Sequence, residues 1–506
     1  PGGRTRGGVS PQDWGAGGAE RRLPLRLALA LALLLAWLPG IAAGEGAATA
    51  PTVVCPTCPI TSLADAVAAA LPGDRIEVRG GTYPGELAIA KSLTLIGVDH
   101  PVIAGGGAGT LVRVTGADVT IEGFTLRGTG TNHDKEDTAI VVEQGRATIV
   151  DNRIEDALFG IYLKQAHGSI VRDNVVLAKK TDIAMRGDGI KIWYCDDVLI
   201  EGNQASDGRD TILWYSNRAL VRGNVFDRGR YGLHLMFSDD ARIEGNALNA
   251  NSIGLFIMYS RNPQVIGNSL SDNHGPSGGG IGLKDVDNAV VEGNRFVNNQ
   301  IAAQIDDSPR ELGIENVWRG NVFAYNEIGI GFLPSVRHNT LVDNSFVDNT
   351  EHVAIIGRGQ LRDITWAVDG RGNYWSDYAG YDANRDGVGD LPYRSQRLFE
   401  SLTDEHPSLR LFTLGPAAMA IDFAARAFPE TRPETKLEDP APLMSAPVSP
   451  YLPATAAISS GSRFTLGVVG LVAVALVLAA VARLRARPLR ATAAPRGRLL
   501  EGLGLR

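Results

Sequence analysis

The chain has 506 residues, 60 of them glycine and 26 proline, with a formal net charge of −7. That length allows a large core plus accessory segments, and the mild acidity with no basic stripe interleaved with aromatics argues against a nucleic-acid partner. The three cysteines, Cys55, Cys58 and Cys195, allow one pair and one leftover thiol.

In chain order, the first twenty residues are glycine-rich and predict no fold. Arg21-Arg22-Leu-Pro-Leu-Arg26 is a basic region, Leu27 to Leu38 an apolar one, and Ile41-Ala-Ala-Gly-Glu supplies small residues for cleavage. Residues 1–44 therefore read as an extension and a secretory signal peptide. The arginine pair faintly resembles a twin-arginine signal, but Pro24 stands where that pattern wants a bulky residue, so both export routes stay open. Cys55-Pro-Thr-Cys58 follows. It fits a local disulfide, a redox pair or a soft-metal ligand pair for copper, and an oxidising compartment favours the disulfide.

Thr61 to Ala70 predicts a short capped helix stopped by Pro72-Gly73. It would plug the open end of a sheet, which otherwise invites aggregation. Arg75-Ile-Glu-Val-Arg and Lys91-Ser-Leu-Thr-Leu-Ile are the first strands. A repeat then governs residues 45–369. Asn224, Asn246 and Asn268 each end a Gly-Asn phrase, 22 residues apart (246 − 224 and 268 − 246). Asn152, Asn174 and Asn203 precede them, and Asn294, Asn321, Asn344 and Asn373 follow. A fixed short period marks a solenoid. Units this short, alternating apolar and polar residues, hold strands and not helix pairs. The fold class is all-β: a right-handed parallel β-helix, its asparagines stacked in one turn where asparagine tolerates a left-handed backbone.

Residues 370–428 predict a C-terminal cap. Asp382, Asn384, Asp386 and Asp390, with Gly387 between, match the start of a calcium loop, although Tyr393 stands where a full site has a bidentate glutamate. The alternative is a turn held by its own side chains. Pro416 to Ala427 predicts a helix with Met419, Phe423 and Ala427 along one face, either a plug or a partner-binding surface. Residues 429–461, rich in Pro, Ala, Ser and Thr, read as a linker. Phe464 to Ala482 carries no charge and as a helix would span roughly 28 Å, enough to cross a bilayer. Residues 462–483 are thus the expected transmembrane helix, and Arg483, Arg485, Arg487 and Arg490 place the tail 484–506 in the cytoplasm.

The repeat also aligns side chains. Ten residues before successive asparagines stand Lys164, Trp193, Trp214, Met236, Met258 and Lys284; twelve before stand Tyr162, Lys191, Ile212, His234, Phe256 and Gly282. The column between is aliphatic throughout (Leu163, Ile192, Leu213, Leu235, Ile257, Leu283) and must face the core. The flanking columns must then point outward. Tyr162, Trp193, Trp214 and Phe256 would form a partner-docking face, unless a loop or the C-terminal segment covers it. His234, Met236 and Met258 lie within one rung of each other, about 4.8 Å, and imidazole with thioethers suits Cu(I). Asp188, Asp196, Asp197, Asp239, Asp240, Asp285 and Asp287 are the acidic candidates for sugar chemistry on the wall. Several recur at the same turn position, which turn chemistry explains, and no basic cluster is evident beside them to hold a uronate.

The run Arg371-Gly-Asn-Tyr-Trp-Ser-Asp-Tyr-Ala-Gly-Tyr-Asp-Ala-Asn-Arg-Asp-Gly-Val-Gly-Asp-Leu-Pro-Tyr-Arg394, with Gly232-Leu-His-Leu-Met-Phe-Ser and Asp188-Gly-Ile-Lys-Ile-Trp, resembles the NosD family over about residues 60–430. The resemblance implies a periplasmic accessory protein of nitrous oxide reductase maturation. Its implied partners are an ABC-type ATPase and permease, the reductase whose copper–sulfur centre is assembled, and a copper-carrying lipoprotein; the anchor in the inner membrane is expected from the 462–483 stretch and not from the resemblance. No G-x-x-x-x-G-K-[ST] occurs, so ATP would be bound by a partner. The rival expectation is a carbohydrate-active β-helix enzyme, a polysaccharide lyase or epimerase.

Overall fold

A computed structural model describes residues 51–447, apart from 276–277. The expected signal peptide, membrane-spanning stretch and basic tail lie outside the described residues. Among the described residues no helix is long and apolar enough to cross a membrane.

The chain winds into a right-handed parallel β-solenoid of about fourteen turns. Its three parallel sheets hold 14, 13 and 12 strands, and each rung gives one strand to each sheet. In one rung these are Leu220–Arg222, Val225–Asp227 and Tyr231–Met236, paired in register with Arg242–Glu244, Ala247–Asn249 and Ile253–Met258 of the next. Period-two alternation puts every second residue inside: Ile243 is fully buried between the exposed Arg242 and the half-buried Glu244. The aliphatic column Leu163, Ile192, Leu213, Leu235, Ile257 and Leu283 is buried throughout, as expected. Each such side chain contributes about 2 kcal/mol of burial. The solenoid starts earlier than expected: Thr52–Val54 already pairs with Arg75–Arg79. Three residues are too few to show a period.

The ten repeat asparagines form one continuous buried ladder. Asn224 donates from both its backbone N and its Nδ2 to Asn246 Oδ1, at 2.9 Å each, and Asn246 does the same to Asn268. The left-handed residue is the one before asparagine, not asparagine itself: Gly202, Gly223, Gly245, Gly267, Gly293 and Gly320 have φ from 62° to 65°. This corrects the expectation by one position. Glycine takes the turn without strain, which frees the asparagine side chain to point inward. Two further ladders close the other corners. Asn251, Asn273, Asn299, Asn326 and Asn349 form one. Cys195, Ser216, Ser238 and Ser260 form the other, each backbone N–H donating to the next hydroxyl. The leftover thiol is therefore a ladder member, and burial pushes it up to about 11.

Both ends are capped. Helix α1 (Leu63–Ala69) is N-capped by Ser62 and buries Leu63, Ala66 and Val67 at the N-terminal end. Cys55 and Cys58 beside it are joined as a disulfide, so they offer no thiolate pair for copper. At the other end α2 (Leu398–Glu405) packs on the last strand of the third sheet, and α3 (Pro416–Ala427) packs on α2. The expectation of a linker from residue 429 is overturned over its described part. Leu437–Asp439 is a strand antiparallel to Tyr393–Ser395. Asp439, fully buried, accepts from Asn373 N at 2.8 Å and Trp375 Nε1 at 2.9 Å, and so terminates the asparagine ladder. Order in this Pro- and Ala-rich stretch comes from long-range contacts that composition does not show.

Candidate copper site on the outer wall

The third sheet carries the candidate residues. Trp193, Trp214, Met236 and Met258 are consecutive partners in register, as are Lys191, Ile212, His234 and Phe256. The columns inferred from spacing therefore exist, and His234, Met236, Trp214, Phe256 and Met258 are neighbours on one wall. Trp193 is exposed, and Trp214, Met236, Phe256 and Met258 are half-buried. Tyr162 departs from expectation. It is 2 % exposed, under the Lys164 and Lys191 ammonium groups, each 4.4 Å from its ring centre. Glu136, from the 131–137 loop, holds both lysines at 2.7 and 2.8 Å. Tyr162 is thus covered by its own chain and offers nothing to a partner.

His234 is the most unusual group. It points to the outer face yet is only 5 % exposed, because rings enclose it. Trp214 meets it edge-to-face at 5.8 Å, Tyr231 at 5.1 Å, and Phe256 stacks on it at 5.8 Å. Gly282, the next residue in that column, leaves room for Phe256 to lie flat: a Cβ there would come within 2.8 Å of the ring. Among the described residues, neither Nδ1 nor Nε2 of His234 has a hydrogen-bond partner, and Trp214 Nε1 has none either. Buried polar atoms without partners are costly, about 1–3 kcal/mol each, and in a native protein they mark an ion, a water or a function. Burial lowers the imidazole to about 4, with Asp210 opposing, so it is neutral and a competent metal ligand at ordinary pH. A cavity of about 380 Å³ opens beside it, lined by Tyr231, Phe256, Lys284, Gln300, Gln304 and Asp306. Among the described residues no group of three or more His, Cys, Asp or Glu is placed to hold a metal. A metal on this wall would need the thioethers, and one imidazole with two thioethers is a soft donor set that fits Cu(I).

Sequence reasoning missed the flanking ridge. Tyr194, Tyr215, Phe237 and Tyr259 stack face to face with centroids 4.7, 5.0 and 5.0 Å apart. They stand nine places before Asn203, Asn224, Asn246 and Asn268, so one more column would have found them. All four are left-handed, with φ from 50° to 52°, which turns their rings outward at the end of the strand.

The acidic candidates separate. Asp197 pairs with Arg218, Asp240 accepts from Asn262, and Asp196 and Asp239 accept backbone N–H groups of the next rung. Asp285 pairs with Arg310, and Asp287 accepts from two backbone N–H groups. These are structural. Asp188 differs: burial, then the neighbouring Asp210, pushes its carboxyl up to about 7. Basic groups do lie nearby, contrary to expectation, but Lys164 and Lys191 are held by Glu136, and Arg230 by Asp210. In the 382–390 loop, Asp382 accepts from the N–H groups of Arg385, Asp386 and Gly387, Asp386 from Val388, and Asp390 from Ala383. The loop is held by its own side chains.

Residues 176–380 match the family model described as "Periplasmic copper-binding protein (NosD)", and residues 102–248 the one described as "Right handed beta helix region". A Pseudomonas aeruginosa protein named "Probable ABC transporter binding protein NosD" is 35 % identical over 385 residues, covering 74 % of this chain and 89 % of the relative. Its Stutzerimonas stutzeri namesake is 31 % identical over 397 residues, covering 75 % and 88 %. The A-module of mannuronan C-5 epimerase AlgE6 from Azotobacter vinelandii shares the fold with a TM-score of 0.50 at 18 % identity, covering 60 % of this chain and 91 % of that one. Sequence relatedness over three quarters of the length, with both matching family models, makes this chain a member of the NosD family.

Proposed function

We propose that this protein is an extracytoplasmic binding and delivery module for assembly of the copper–sulfur centre of nitrous oxide reductase. In this reading it works with an ABC-type permease and ATPase, which supply the energy, and receives copper from a lipoprotein chaperone. The apolar stretch 464–482 would hold it at the inner membrane. One observation carries the proposal: a buried imidazole with both nitrogens unpartnered stands beside two thioethers on an aromatic wall. Such a wall gives a protein partner an apolar face with few charges to desolvate. His234, Met236 and Met258 would bind Cu(I) as cargo, and Trp193 with the Tyr194–Tyr259 ridge would seat the donor or acceptor protein.

The test is titration of the full chain with Cu(I) against a competing chelator. The reading expects one tightly bound ion and its loss in the double variant Met236→Ala/Met258→Ala, with the variant's circular dichroism unchanged. Unaltered stoichiometry in that variant would remove the site.

Asp188 favours a second reading, a polysaccharide lyase or epimerase. A buried carboxyl near 7 on an outer wall suits general acid–base work. Turnover of polyuronate by the purified chain, to an unsaturated product for a lyase or to an inverted C5 centre in an intact polymer for an epimerase, would establish it and displace the delivery module.

A further inference from the structure

We propose that Trp214 is a direct contact of the bound cation, and that the rings around His234 make this site selective for a monovalent soft ion. The inference deepens the copper reading above and rests on it.

Trp214 directly precedes Met236 in one column of the sheet, so the two side chains stand one rung apart. Its ring also meets His234 edge-to-face at 5.8 Å and 89°. Among the described residues nothing hydrogen-bonds its Nε1, so packing alone orients the indole. The imidazole is bounded by Trp214 from the preceding rung, Phe256 from the following rung and Tyr231 on its own strand. Asp210, opposite Tyr231 on the preceding rung, is already paired with Arg230. Among the described residues, an ion here meets one imidazole, two thioethers and aromatic faces, with no free anion. A divalent ion held on so apolar a set of ligands, against the buried imidazole, needs anionic ligands to offset its desolvation. A monovalent soft ion needs less, and an indole face attracts it electrostatically. Cu(I) and Ag(I) fit; Cu(II) and Zn(II) do not.

The experiment titrates the full chain, without oxygen, with Cu(I) and with Ag(I) against a competing chelator while tryptophan emission is recorded. Trp214→Phe and Trp193→Phe are compared with the parent, and circular dichroism checks that each is folded. Both ions are expected to quench emission at one equivalent in the parent and in Trp193→Phe. In Trp214→Phe the quenching should vanish and affinity fall about ten-fold. If Trp214→Phe binds as tightly and quenches as before, while His234→Ala abolishes binding, Trp214 has no such role and the copper site stands. A water bridging Trp214 and His234 would give that same result and overturn the inference. Tighter binding of Zn(II) than of Ag(I) would overturn the selectivity. If neither monovalent ion binds any variant, both this inference and the copper reading fall.

Discussion

Single residues in this protein matter by whether they sit in a ladder. Asn246 gives two hydrogens to Asn268 Oδ1, one to Val221 O, and accepts two from Asn224. Alanine there leaves the buried Asn224 N–H unpaired. Asn246→Ala should therefore cost about 2–4 kcal/mol, read as a fall in Tm and in the urea midpoint. Asn262 sits in a parallel but exposed ladder, donating to Asp240 and accepting from Asn288. Its backbone is left-handed (φ 55°), so glycine, which takes that conformation freely, is the replacement that tests the side chain alone, and it should cost under about 0.5 kcal/mol. Equal losses at the two positions would refute burial as the source of ladder stability.

The two end caps are built differently, and pH separates them. At the C-terminal end Lys436 is buried among carboxylates, bonded to Glu351 Oε1 at 2.6 Å and to Asp404 at 2.7 Å, with Glu400 near. Burial pushes Glu400 up to about 7, although Lys436 opposes it. Its proton is thus held more tightly in the folded state than in the unfolded one. Its contribution is fully present below about pH 4.5 and is lost as pH rises toward 7. His234 slopes the opposite way, since its folded value is lowered. The clean comparison is therefore with Glu400→Gln, which should remove the decline of about 2 kcal/mol that the parent shows relative to it between pH 5 and 7. A parallel pair of stability curves would rule out the clasp. Calcium offers a second check on this element. The 382–390 oxygens already serve backbone N–H groups, so 1 mM calcium or a chelator should shift Tm by less than about 1 °C. A ligand-linked rise of several degrees would restore a bound ion. On α3 the buried residues are alanines, Ala418 and Ala425, while Met419 and Phe423 are 71 % and 74 % exposed. The predicted apolar stripe faces outward, so it does not plug the barrel.

At the scale of the molecule, the rod holds a fixed wall. Every rung is bonded to the next across three sheets, so an aromatic ridge over four rungs is preorganised and a partner need not order it on binding. Tyr215→Ala/Phe237→Ala should leave Tm within about 1 °C, because both rings lie outside the core, yet weaken capture of the copper donor by ten-fold or more. Capture measured by interferometry with the purified lipoprotein and reductase is the readout. Undiminished binding would place the partner elsewhere.

Repeat geometry was legible from the sequence because equal steps along the chain become neighbours along the axis. The asparagine period, the aliphatic column and the His234–Met236–Met258 adjacency all followed from counting. Helix Pro416–Ala427 was legible too, from its proline and its stripe. Other features were not, and for one reason: they depend on which distant groups happen to meet. Nothing near Tyr162 in sequence announces that Glu136 will pin two lysines over it. Nothing in a Pro- and Ala-rich stretch says that Asp439 will end a ladder begun at Asn152. The sequence by itself determined the rod and which residues share a wall. Only the tertiary structure decided which of those are reachable, because burial depends on loops and caps that no period governs.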